Sequence, residues 1–80
     1  MAYYFFHLRE GTNELLDSEG FHCSSIAETH SHALAGARDI LSAEIRTGLL
    51  DLRYRIDVED VSGRTVHTLA FEDAVKFRTD

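Results

Sequence analysis

Five histidines and one cysteine are the residues of this 80-residue chain whose chemistry stands out. His7, His22, His30, His32 and His67 carry imidazoles, which ligate metals and move protons near neutral pH. Cys23 carries a thiol, a nucleophile or metal ligand once ionised. A metal centre needs two to four such groups within about 2.0–2.3 Å of one ion, and spacing removes most pairings. His30 and His32, on a helix, point about 160° apart. His22 and Cys23, neighbours on a strand, face opposite ways. His30 and His67 both read as inward-facing and can meet. Their third ligand would be Glu44, which lies toward the other end of the helix. There is no CxxC or similar zinc spacing.

Cys23 stands just before a helix cap, where the helix N-terminus can lower a thiol pKa. No third orienting group accompanies it, and a short sheet-plus-helix chain leaves little room for a deep pocket. Its default reading is a small apolar residue at a strand end. Glu59-Asp60 and Glu72-Asp73 are adjacent, loop-like carboxylates and read as solvated charge. Glycines occur singly at turns, so no phosphate-cradling loop is present. The expectation is therefore a non-enzymatic protein with no catalytic residue, no metal ligand set and no cofactor. The competing reading is a metal- or thiol-dependent activity using Cys23, His30 and His67.

The element that must position these groups runs from Ser25 to Gly48, a single amphipathic helix over about residues 25–47. Ser25 and Glu28 form a capping box, and Gly48 is the natural stop because it tolerates the left-handed conformation. At about 100° per residue, Ile26, Ala27, Ala33, Leu34, Ala37, Ile40, Leu41 and Ile45 share a stripe roughly 140° wide. Glu28, Ser31, His32, Asp39, Ser42 and Arg46 lie outside it and read as solvent-facing. His30 and Glu44 interrupt the stripe, each near a helix end where a polar tip can reach water.

Strands are expected on both sides. Tyr3 to Arg9 is rich in aromatics, which suit a half-buried pleated surface. Tyr4, Phe6 and Leu8 lie on one face; Tyr3, Phe5, His7 and Arg9 lie on the other. After a turn at Glu10–Asn13, Glu14 to Asp17 returns as a second strand, which Phe21 to Cys23 extends or resumes. Tyr54 to Asp60 alternates cleanly, with Tyr54, Ile56 and Val58 on the buried side. A two-residue loop at Ser62-Gly63 sets Val58 opposite His67, Ile56 opposite Leu69 and Tyr54 opposite Phe71 in the strand Thr65 to Phe71. A three-residue loop with a bulge would shift that register by one and spoil the apolar ladder. Glu72 to Phe77 is expected to add one helical turn.

The class is thus α+β, ordered ββαββ: one domain over residues 1–80, with an antiparallel four-stranded sheet and the helix on one face. The hydrophobic share of 44% fits a folded globule rather than a disordered chain. So short a chain has only a small core, and a lone cysteine allows no internal disulfide, leaving packing or self-association as sources of stability. Eight basic against fourteen acidic residues give a net charge of −6, which argues against nucleic acid and against anionic membranes as partners. There is no stretch of about 18 apolar residues to span a bilayer. With no basic leading region and one thiol, the expected compartment is the cytoplasm.

One helix shields one sheet face. Tyr3, Phe5 and His7 are left on the other, beside Arg55, Asp57, Glu59, Val66 and Thr68. Exposed aromatics in a polar surround often mark contact sites. The expected interaction face is Tyr3, Phe5, His7, Arg55 and Asp57, used to form a homodimer or to bind a protein partner; a strand edge is the other route.

The opening Tyr4-Phe5-Phe6-His7-Leu8-Arg9-Glu10-Gly11 also resembles that of a family of short uncharacterised bacterial proteins. Asp17 and Gly20, the alanines at 33 and 37, Gly48, Asp60 to Gly63, and Leu69 with Phe71 continue the resemblance over nearly the whole chain. Relatives often carry a proline where this chain has Ala70. The resemblance implies a small soluble bacterial protein and brings no catalytic or binding residue with it.

Overall fold

The computed structural model describes residues 2–79. In chain order the elements are β1 (Ala2–Glu10), β2 (Asn13–Leu15), β3 (Phe21–Cys23), α1 (Ile26–Ile45), β4 (Arg55–Glu59) and β5 (Thr65–Ala70), closed by a 3₁₀ turn at Phe71–Asp73. Every strand pairing is antiparallel. The order across the sheet is β2-β1-β4-β5, with β3 also paired to β1. The sheet therefore has five strands rather than four. β2 meets Leu8–Glu10 and β3 meets Ala2–Tyr4, both along one side of β1, so the returning strand is present but broken in two.

Asp17 explains the break. Its Oδ2 accepts the Phe6 amide at 3.1 Å, in the gap between β2 and β3. Its Oδ1 accepts the amides of Glu19 and Gly20, both at 3.1 Å. One carboxylate thus replaces the missing strand partner and ties the bend that follows, as short aspartate side chains commonly do in turns. Gly20 completes the bend at φ +75°, where a Cβ would stand 2.9 Å from the Phe5 ring. Gly11, at φ +57°, has open space around it. Both glycine-to-alanine changes carry the left-handed penalty of about 1–2 kcal/mol, and only Gly20→Ala adds a clash with Phe5, typically 1–3 kcal/mol more. Urea titration of the two variants should show Gly20→Ala to be the more destabilising; equal midpoints would mean that the Phe5 ring yields freely.

At the helix start the Ser25 Oγ accepts the Glu28 amide at 3.1 Å. Glu28 reaches back one residue further than a standard capping box, accepting the Ser24 amide at 2.8 Å. The buried row is Thr29, Ala33, Ala37 and Leu41, spaced by four. Ile26, Ala27 and Ile45, which share the apolar stripe, are exposed because the helix ends overhang the sheet. Thr29 takes an inward place and satisfies its hydroxyl on the Ile26 carbonyl at 2.6 Å. Small side chains at 29, 33 and 37 let α1 lie close over β4 and β5, where Ile56, Val58, Leu69, Phe71 and Ala74 complete the core.

The expected ladder is present: Val58 opposite His67 and Ile56 opposite Leu69, with the Phe71 amide bonded to the Tyr54 carbonyl at 3.0 Å. The loop that delivers it is different. Asp60 and Arg64 close a three-residue loop, with the Asp60 amide donating to the Arg64 carbonyl at 2.9 Å. The register then shifts between Val58 and Glu59, so one extra residue, Val66, is absorbed in β5. Loop and bulge cancel, because each displaces the alternation by one residue. Over residues 74–79 no further helix is present, and the Ala74 carbonyl accepts Arg38 Nε at 2.9 Å, fastening the tail beside α1.

Candidate interaction surface

Two surfaces compete. The first is the sheet face away from α1, where β1 and β4 place Phe5 opposite Glu59, His7 opposite Asp57 and Arg9 opposite Arg55. Its charges are engaged with one another. Asp57 is only 6% exposed. It accepts from Arg9 Nη1 at 2.9 Å, Thr68 Oγ1 at 2.9 Å and Arg55 Nε at 3.1 Å. Burial works to raise the Asp57 pKa, but the bonds from Arg9, Thr68 and Arg55 outweigh it and hold the carboxyl below its usual range. Arg9 also bonds Glu14 Oε2 at 2.9 Å, and these two carboxylates, Asp57 first, raise its pKa.

His7 is buried in the same layer. Its Nδ1 accepts the Asp17 amide at 3.1 Å, so the ring proton sits on Nε2, 3.3 Å from Glu59 Oε1. Phe5 is half-buried under the Gly20 bend and runs parallel to the His7 ring at 6.4 Å. Tyr3 is the open ring of this face, 51% exposed and 5.1 Å from His22. Of the five residues expected there, then, His7 and Asp57 are buried in a satisfied network, Phe5 and Arg55 are half-buried, and Tyr3 is exposed.

The second surface lies on the helix side, beside the broken edge. Because α1 sits over β4 and β5, it leaves a groove of about 320 Å³ above β1 and β2. Phe6, Leu8, Leu15, Leu16, His32 and Ile40 line it, and Ala33 and Ile56 of the core form its floor. Leu15 and Leu16 are 70% and 55% exposed at its mouth. His32 reads from periodicity as solvent-facing, yet it stacks on Phe21 at 3.9 Å and meets Phe6 edge-on at 4.6 Å. Asp17 borders the groove and provides its one carboxylate.

The remaining chemistry-bearing groups are dispersed. Cys23 is buried; burial, with the charge of Glu28, pushes its thiol pKa up, away from reactive thiolate character. Among the described residues no group of three or more His, Cys, Asp or Glu side chains converges on a common point. His30 and His67 do meet, with Nδ1 and Nε2 at 3.0 Å. Glu44, fourteen residues beyond His30 on the helix, stands about 21 Å further along its axis at 1.5 Å per residue. Sequence reasoning did not mark Leu15 and Leu16; two consecutive leucines before an Asp-x-x-Gly bend were the available sign that one of them must face outward.

Among the described residues no helix is long and apolar enough to cross a membrane. Residues 3–72 match the model of a family described as a domain of unknown function, DUF6894. No curated protein and no solved structure matches the chain.

Proposed function

The chain belongs to the DUF6894 family, and we propose that it serves as a small non-enzymatic interaction module whose first partner is a second copy of itself. The observation that carries this reading is the exposed pair Leu15 and Leu16 at the mouth of a groove floored by the domain's own core. An apolar groove beside apolar knobs on the same edge is self-complementary. Two copies related by a two-fold axis can each insert Leu16 into the groove of the other, a closed arrangement. The small core supports the reading as well, since a chain of this size with no disulfide gains from burying further apolar surface.

The test is light scattering of the purified chain over a range of concentrations, repeated on Leu16→Glu. The wild type should show a dimeric mass that the variant loses, while both keep the same helical circular dichroism. A monomeric wild type would remove self-association and leave a different protein as the occupant of the groove. Tyr3, half exposed beside His22, favours the open face as a second route. If Tyr3→Ala dissociates the dimer and Leu16→Glu does not, the contact runs through Tyr3, Phe5, His7, Arg55 and Asp57 instead.

A further inference from the structure

We propose that His30 and His67 form a two-imidazole chelate for a divalent first-row transition-metal ion of the Zn²⁺, Ni²⁺ or Cu²⁺ class, on the flank of α1 away from the groove. The rings come from separate elements, the second turn of α1 and the edge strand β5, and their facing nitrogens stand 3.0 Å apart. Two imidazole nitrogens bound at 2.0–2.1 Å to one tetrahedral ion lie about 3.3–3.4 Å from each other. The pair is thus within a few tenths of an ångström of chelating separation before any ion arrives. The rings meet at 76°, so their lone pairs can turn toward a common point without stacking.

The protein holds one ring firmly and leaves the other accessible. His67 is half-buried and fixed by the β4 pairing opposite Val58, whereas His30 is exposed and gives an ion a way in from solvent. Where two neutral rings share a proton across this gap, the tautomer decides which one donates; for both facing nitrogens to ligate, that proton passes through solvent to the other nitrogen of its own ring, with no net deprotonation. Imidazole donors select zinc, nickel and copper over the oxygen-preferring Mg²⁺ and Ca²⁺. With two protein donors, the other coordination positions are filled by water.

Calorimetric titration of the intact chain with Ni²⁺, Zn²⁺ and Mg²⁺ tests this. Nickel and zinc should bind at one ion per chain and magnesium should not. His30→Ala and His67→Gln should each weaken binding at least tenfold, about 1.4 kcal/mol, while His22→Ala leaves it unchanged. Histidine side-chain ¹⁵N shifts should move at His30 and His67 alone. Circular dichroism confirms that each variant is folded; His30, being exposed, is the decisive one. Wild-type affinity in His30→Ala, or absence of nickel and zinc binding to the wild type, would overturn the proposal.

Discussion

Replacing Phe71 with alanine is expected to lower the unfolding free energy by about 3–5 kcal/mol, the usual cost of emptying a fully buried aromatic site. Phe71 has no exposed surface, and its amide bonds the Tyr54 carbonyl while its carbonyl accepts the Ala74 amide. It is the largest side chain in a core otherwise built from alanines, leucines, an isoleucine and a valine. Its large neighbour Tyr54, 5.8 Å away between ring centroids, is already packed against the core. A domain of this size typically has only a few kcal/mol to spare, so the variant should be largely unfolded at 25 °C. Far-UV circular dichroism with urea titration decides: a cooperative transition within 1 kcal/mol of the wild type would mean that α1 can settle onto the sheet without this ring.

Asp17→Ala carries the second large effect, about 2–4 kcal/mol. It leaves the amides of Phe6, Glu19 and Gly20 without an acceptor, and bonds to a charged group contribute roughly 1.5–3 kcal/mol each without adding fully. The pH dependence identifies the cause. Burial raises the Asp17 pKa, but the Phe6, Gly20 and Glu19 amides, with His7, outweigh it and hold the carboxyl below its ordinary value. A depressed folded-state pKa gives stability that is complete above the unfolded value of about 3.9 and is lost as pH falls through the folded value. Asp57 and Asp60 are also depressed and slope the same way. The informative quantity is therefore the difference between wild type and variant, which should be constant from pH 5 to 8 and shrink below about pH 4. A difference that persists unchanged to pH 2 would show that the carboxylate charge is not what ties the bend.

Much of the framework was legible in the residues, and its departures have physical causes. Ser25 marks the helix start because caps are local chemistry, and the apolar ladder points to the Val58–His67 pairing. The helix, however, ends at Ile45 with Arg46 as its C-cap, short of Gly48, which takes its left-handed turn at φ +88° beyond the cap. The three-residue loop after Asp60 was not legible, since its bulge at Val66 restores the same alternation and leaves no trace in the pattern. The broken return strand was not legible either. Asp17 looked like the end of a strand, and only the fold shows that its carboxylate takes the place of a backbone carbonyl for Phe6. His7 and Asp57 stand on the expected face, but sequence spacing says nothing of how far Arg9, Arg55 and Thr68 close over them. The groove escaped notice for a related reason. Periodicity fixes which side of α1 is apolar, not whether the helix sits centrally on the sheet or to one side.

The interruption at Asp17 also governs how copies of this chain can add to one another by backbone pairing. Beyond β1 the rim consists of two stubs of three residues each, and the Phe6 amide between them is already occupied by a side chain. Such a rim is a poor template for a visiting strand, whereas the six-residue β5 on the opposite side is continuous except for its bulge. A layer with a single serviceable border can add a neighbour by strand pairing only across that border, so the break that leaves Leu16 outward also keeps backbone-to-backbone addition from running on past one copy.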